Sequence, residues 1–337
     1  MMNPIRNVPA EWSRQQTLWV GWPHLANEWQ GALAAARVEI AGFIRAAADF
    51  TPVRVACGSK QALDSASVAL APINANIELV SVPSGDIWLR DTGPIMARTP
   101  DALIALCFRF NGWGGKFIMP GDCETAAAIA QYEGVPALQH DFVLEGGAVD
   151  LDGHGQLITT RQCLLHPNRG NGWSEAAADA ALRHAFGVNN IVWLDYGLAH
   201  DHTDGHIDNL ARFIGPGHVL CQTATGEDDP QAEILAATED ALRAAGLQVD
   251  TIPSPGRIVA EDGEILPASH MNFTLLNDGL ILPVYDPVQG ARAIARLQVL
   301  CPDHRVIGLP ANAILRGGGS FHCMTREIPC PLSPEVK

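Results

Sequence analysis

Short β-rich runs, turn residues and alanine-rich amphipathic stretches succeed one another along this chain in a recurring order. Between Val143 and Leu165, two runs (148–152 and 156–160) flank Gly153-His154-Gly155 and read as a hairpin. Ser174 then offers an N-cap to a helix reaching Phe186, where Gly187 ends it. Asn190 to Leu194 completes the unit as a short apolar strand, giving the order β-β-α-β.

Three other stretches repeat that order. Ile95 to Phe110 turns at Thr99-Pro100-Asp101, before a helix near 122–132 and a strand from Val135 to Gln139. Ile207 to Thr223 turns at Gly215-Pro216-Gly217, before a helix near 230–245 and a strand from Leu247 to Ile252. Asn272 to Val284 turns at Asn277-Asp278-Gly279, before a helix near 288–300 and a strand from Arg305 to Leu309. A strand at Thr17 to Val20, a helix near 28–48 and a strand at Val53 to Cys57 lack only a first strand. The hairpin half from Ser320 to Arg326 supplies it. A further helix and strand, near 60–71 and 76–82, lead into the first complete unit. Five units, one shared between the two ends, predict an α/β fold closed into a ring with no sheet edge at the seam.

Length alone, 337 residues, suggests two domains, but no linker interrupts the repeat, so a single domain over 1–337 is expected. With 47% hydrophobic residues the chain can bury a large core without disulfides or structural metal. Its 22 Lys+Arg against 37 Asp+Glu leave a formal charge of −15, which argues against nucleic acid or anionic membrane as a partner and suits a cationic ligand. The longest apolar stretch, Gly31 to Phe50, is broken by Arg37, Glu39, Arg45 and Asp49, too polar to span a bilayer. Met1 to Arg14 shows no secretory leader, and eight scattered cysteines without a C-x-x-C pair read as reduced thiols. A cytoplasmic location is expected.

The unusual polar residues fall where one unit's last strand gives way to the next hairpin. They are Asp86-Ile-Trp-Leu-Arg-Asp91, Glu145-Gly-Gly147, Asp204-Gly-His206-Ile-Asp208, Ser269-His270-Met-Asn272 and Gly317-Gly-Gly-Ser-Phe-His-Cys323. In a ring these equivalent positions converge on the axis, gathering carboxylates, an imidazole and a thiol. Several carboxylates sharing one buried site call for a cation. Read separately, His200-Asp-His202-Thr-Asp204-Gly-His206-Ile-Asp208 is similar to the H-x-H-x-D-H zinc signature with Gly205 inserted, so a zinc hydrolase is the alternative from another enzyme class. Gly112-Trp-Gly-Gly115 lacks the spacing of a nucleotide loop.

Taken in order, Trp88-Leu-Arg-Asp91-Thr-Gly-Pro94, Phe110-Asn-Gly-Trp-Gly-Gly115, Leu144-Glu-Gly-Gly147, Gly205-His-Ile-Asp-Asn209 and Gly317 to Cys323 resemble the motif series of the agmatine deiminases. That family belongs to the guanidine-modifying superfamily, whose fold is a five-bladed α/β propeller (pentein) of ββαβ units. The likeness spans about Glu11 to Pro329, and bacterial peptidyl-arginine deiminases share its core. It implies Cys323 as nucleophile on the guanidinium carbon, and His206 as the acid that releases ammonia and then the base that activates water. Asp91, Glu145 and Asp208 would hold the planar cation. Trp88, Trp113 and Trp22 would line the pocket, with Asp86, Asp204 and His270 as further substrate-binding residues. No metal or organic cofactor is implied, and homo-oligomers are usual in the family. The implied reaction is agmatine plus water to N-carbamoylputrescine and ammonia, a step of polyamine synthesis. Ser320-Phe321 stands where these enzymes commonly have Asn-Ile, which keeps peptidyl or free arginine open as substrate. A free-arginine enzyme would need a cation for the α-carboxylate, and Arg90 and Arg316 are the nearest in sequence. A catalytically inactive ring serving as a binding module is the reading outside enzymology.

Overall fold

The computed structural model describes residues 6–29 and 31–331. Its strands form five small mixed sheets. β1 (Gln15–Gly21), β2 (Val53–Cys57) and β3 (Ile77–Ser81) share one sheet. The second holds β4 (Ile95–Arg98), β5 (Leu103–Arg109) and β6 (Ala137–Val143), and the third holds β7 (Val149–Leu151), β8 (Gln156–Thr160) and β9 (Asn190–Leu194). β10 (Ala211–Gly215), β11 (His218–Thr223) and β12 (Gln248–Pro253) make the fourth. β13 (Thr274–Leu275), β14 (Gly279–Val284) and β15 (Arg305–Pro310) make the fifth. β16 (Thr325–Pro329) returns to pair antiparallel with β1, Val20 opposite Thr325 and Thr17 opposite Ile328.

Every sheet has the same grammar. An antiparallel pair is followed by a parallel one, and a helix covers the crossover between the parallel strands. The helix Glu175–Phe186 shows why. Ser174 caps it by accepting the Ala177 N–H, and Gly187 ends it with φ 71°. Leu182, Ala185 and Phe186 bury one face against Leu157 and Ile191 of the third sheet. Burying the Leu and Phe side chains is worth about 1.5–3 kcal/mol each. The chain is a five-bladed α/β propeller of the pentein type, and Asn277 closes it: its side chain accepts the Gln15 N–H at 2.7 Å and donates to the Gln15 carbonyl at 3.1 Å.

Besides shifted bounds, such as Ala137–Val143 for the strand expected at 135–139 and Leu33–Ala47 for the helix expected near 28–48, the departures from the sequence reading lie where the hairpins begin. Ile207–Asn209 is a single 3-10 turn, so the hairpin starts at Ala211. The segment 320–324 coils through the Ser320 and His322 carbonyls before β16 begins at Thr325. Short turns also precede β4 (Leu89–Thr92) and β7 (Gly146–Ala148). Converging strands leave no room to continue there, and the chain reverses while presenting side chains to the axis.

One end of the axis is filled by buried ions. Arg90 lies 2.9 Å from Glu327, and Arg212 bonds Glu11 and the Phe273 carbonyl. Asp150 faces Arg212 at 3.5 Å, while Arg326 donates to the Arg90 carbonyl. Each charge has a partner, which burial requires. No helix among the described residues is long and apolar enough to cross a membrane, and all eight cysteines are free thiols.

Candidate functional site

Cys323 sits on the turn that leads into β16, with its thiol at the floor of a cleft. Asn272, two residues before β13, frames it: Oδ1 accepts the N–H groups of His322 and Cys323, and Nδ2 donates to Sγ at 3.1 Å. Sγ also lies 3.6 Å from Asp208 Oδ2. Burial and the carboxylates of Asp208 and Asp91 push this thiol's pKa well above 9, so the empty site holds it protonated. Gly319 is required by space, because a Cβ there would lie 2.6 Å from Trp88 and 3.0 Å from the Cys323 Cβ.

His206 is fully buried between two carboxylates, one of which, Asp91, also acts on the Cys323 thiol. Nδ1 is 3.8 Å from Asp91 and Nε2 is 4.0 Å from Glu145. Burial disfavours its charge, but Asp91, Cys163 and Glu145 together outweigh that and raise its pKa well above 6.5. An imidazolium therefore persists at neutral pH. Asp91 is fixed by two donors, Trp113 Nε1 on one oxygen and the Gly147 N–H on the other, both at 2.9 Å. Gly147 allows this, since a Cβ would come 2.5 Å from the His206 ring. Glu145 is held by Arg169 Nε at 2.8 Å. Glu145 Oε2 and Asp208 Oδ1 are buried and accept no hydrogen bond from the described residues. Open acceptors grouped around a thiol are what a planar, multiply N–H-bearing cation would satisfy.

The cleft above encloses about 500 Å³ including its mouth. Trp88, Trp113, Phe117 and Met119 give it apolar walls, and Asp86 and Glu28 add carboxylates to its lining. Burial raises Asp86 to about 7 against the indole N–H of Trp29, which donates to it at 3.2 Å. Among the described residues no Lys or Arg lines the cleft. Across the mouth, Lys116 reaches the His202 carbonyl and the Asp204 carboxylate, tying the Trp113 loop to the loop before His206.

The structure thus brings Cys323, His206, Asp91, Glu145 and Asp208 to one centre, and Trp88, Trp113 and Asp86 to the cleft above it. Three other expected binding residues lie elsewhere. Trp22 is buried in the hydrophobic core, donating to Ser65 Oγ. Asp204 is taken up by Lys116 and Arg169. His270 turns its Nδ1 to the Pro253 carbonyl. Arg90 points down the axis to Glu327 and does not line the cleft. The zinc reading needs correction as well. Asp204 and Asp208 face different partners, and the described group that could hold a metal is Glu145, Cys163 and His206. Arg169 already supplies positive charge there, with Nε on Glu145 and Nη2 3.7 Å from Cys163.

Asn272 was within reach of sequence reasoning, because it precedes β13 by two residues just as Cys323 precedes β16. Arg169 and Cys163 carry no local signal; they reach the site only through long-range packing.

Comparison with known proteins points to one group. Residues 7–329 match the family model for Porphyromonas-type peptidyl-arginine deiminase. The agmatine deiminase of Pseudomonas aeruginosa strain LESB58 is 35% identical over 354 residues, covering 96% of this chain and 95% of the relative. A cysteine-to-serine agmatine deiminase from C. jejuni with substrate bound superposes with a TM-score of 0.91 at 28% identity, covering 99% of each chain. The agmatine deiminase of Enterococcus faecalis gives 0.89 at 28% identity, covering 96% of each.

Proposed function

Because this chain belongs to the Porphyromonas-type peptidyl-arginine deiminase family, we propose that it hydrolyses agmatine to N-carbamoylputrescine and ammonia, as one catalytic domain acting in the cytoplasm on the route from arginine to polyamines. The observation that carries the substrate assignment is the charge of the cleft. Asp208 and Asp91 act on the thiol, Asp86 and Glu28 line the same cleft with apolar side chains, and among the described residues no Lys or Arg lines it, Lys116 nearby being taken up by Asp204. Agmatine, cationic at both ends of an aliphatic chain, matches that pattern and arginine does not.

The guanidinium docks among Asp91, Asp208 and Glu145, its charge offsets the carboxylates that hold the Cys323 proton, and that proton passes to solvent, since His206 already carries its own. The thiolate then attacks the guanidinium carbon, forming a C–S bond and a tetrahedral adduct. His206, charged in the free enzyme, gives its proton to the departing nitrogen, which leaves as ammonia. The neutral imidazole next takes a proton from water as its oxygen attacks the S-alkylthiouronium carbon. The C–S bond breaks, thiolate is regenerated, the remaining hydroxyl proton passes to solvent and the neutral ureido product leaves. Trp88 and Trp113 stack on the cation, worth about 0.5–2 kcal/mol.

The test is release of ammonia and ureido product from agmatine, arginine and a blocked arginyl peptide, with and without chelator. Turnover of agmatine, insensitive to chelator, is expected. Turnover of the peptide without turnover of agmatine would reassign the substrate.

A further inference from the structure

His322 directly precedes Cys323, is buried, and has no part in the mechanism so far. Its ring bridges two carboxylates, with Nδ1 2.8 Å from Asp208 Oδ2 and Nε2 2.9 Å from Glu11 Oε2. Arg212 and Arg90 also face it from the ion network. We infer that His322 is a positioning residue: its Nδ1–H fixes Asp208 between the nucleophile and the guanidinium, while its unprotonated Nε2 faces the arginines of the ion network beneath.

The direction of the hydrogen bond follows from counting donors. A neutral imidazole has one N–H to give. Glu11 already receives Arg212 on Oε2 and the Leu275 N–H on Oε1. Asp208 Oδ2 has the Cys323 thiol and His322, and Oδ1 accepts nothing. The proton therefore belongs on Nδ1, directed at Asp208. Pinning Oδ2 leaves Oδ1 as the free acceptor for substrate and partly compensates the charge that faces Sγ. Asn272 anchors the same unit from the other side, since its Oδ1 accepts the His322 N–H at 3.0 Å.

This rests on the roles given to Cys323 and Asp208 above, and two near-isosteric replacements test it. In His322→Asn the amide nitrogen can stand where Nδ1 stands, keeping the donor to Asp208 and losing Glu11. In His322→Gln it can stand where Nε2 stands, against Glu11, and the donor to Asp208 is lost. The expected result is kcat on agmatine within about tenfold of the unsubstituted enzyme for His322→Asn. For His322→Gln a loss of about 10²-fold is expected, the size typical of a reacting group left unpositioned. A second readout needs no substrate: the pH profile of Cys323 alkylation by iodoacetamide, followed on its own peptide by mass spectrometry. Uncompensated charge on Asp208 moves that profile upward in His322→Gln and leaves it in place in His322→Asn. Equal losses in both variants with equal falls in Tm would overturn the assignment, as would two unaffected variants or a more active His322→Gln. Failure of the unsubstituted protein on every guanidinium would count against the proposed reaction, while the alkylation comparison would still judge His322.

Discussion

The indole of Trp113 does two things at once: its ring walls the cleft, and its Nε1 donates to Asp91 Oδ2 at 2.9 Å. Asp91 in turn sustains the charge on His206. Trp113→Phe keeps an aromatic wall and removes the donor. A hydrogen bond to a charged group is worth about 1.5–3 kcal/mol, so kcat/KM on agmatine should fall by roughly one to two orders of magnitude. Steady-state kinetics beside a thermal melt would check this; an unchanged kcat/KM refutes the coupling.

Cys323→Ser should abolish turnover. Its Sγ contacts amount to one Asn272 donor and one Asp208 acceptor, both within a hydroxyl's capacity, so Tm should move little. Residual activity near that of the unsubstituted protein would remove the covalent intermediate from the mechanism. Mass spectrometry of a quenched reaction should show an adduct on the Cys323 peptide.

Asp86 carries a pH dependence whose sign follows from its position. Its carboxyl is raised to about 7, first by burial and partly by Asp122, so below that pH the ligand-free cleft holds it neutral. KM for agmatine should rise as pH falls through about 7, and Asp86→Asn should flatten that limb. Stability runs the other way. With the folded pKa above the unfolded one, folding is penalised increasingly above the unfolded pKa and fully above about 7. Asp86→Asn should therefore be more stable at pH 8, on the order of a few kcal/mol. Urea unfolding at pH 5 and pH 8 measures it, and an equal effect at both would contradict the assignment.

Arg169 is the charge that makes a buried Glu145 tolerable. Arg169→Met leaves that buried carboxylate only the more distant His206 imidazolium, 4.0 Å away, and should cost about 3–5 kcal/mol in chemical denaturation. Lys116→Met breaks only the half-exposed pair across the cleft mouth and should cost less than about 1 kcal/mol. A smaller loss in the Arg169 variant than in the Lys116 variant would reverse this ranking of the two ion pairs.

The ring was legible in sequence because it is written in local chemistry. Gly-Pro-Gly at 215–217 and Asn-Asp-Gly at 277–279 force hairpins, and Ser174 with Gly187 brackets a helix whatever lies around it. Cys323, His206 and Asp208 were legible because equivalent positions of equal units must meet at an axis. What escaped was side-chain direction. Trp22 lies beside the cleft's elements in sequence, yet its indole packs into the core toward Ser65. His270 and Asn272 share one motif, and only Asn272 reaches the thiol. Nothing within a few residues of Arg169 announces that Glu145 will need it.

The strand that closes the ring also delivers Cys323, the proposed nucleophile. Thr17 waits for Ile328 across about three hundred residues of chain, and Cys323 is carried in by the same segment, two residues ahead of β16. Until that strand zips onto β1, the acid, the carboxylates and the aromatic walls can all be in place around a gap. A growing or partly unzipped chain is thus chemically silent. Completion of the architecture and arming of the thiol are one event, and no half-built ring exposes a reactive cysteine in its finished setting.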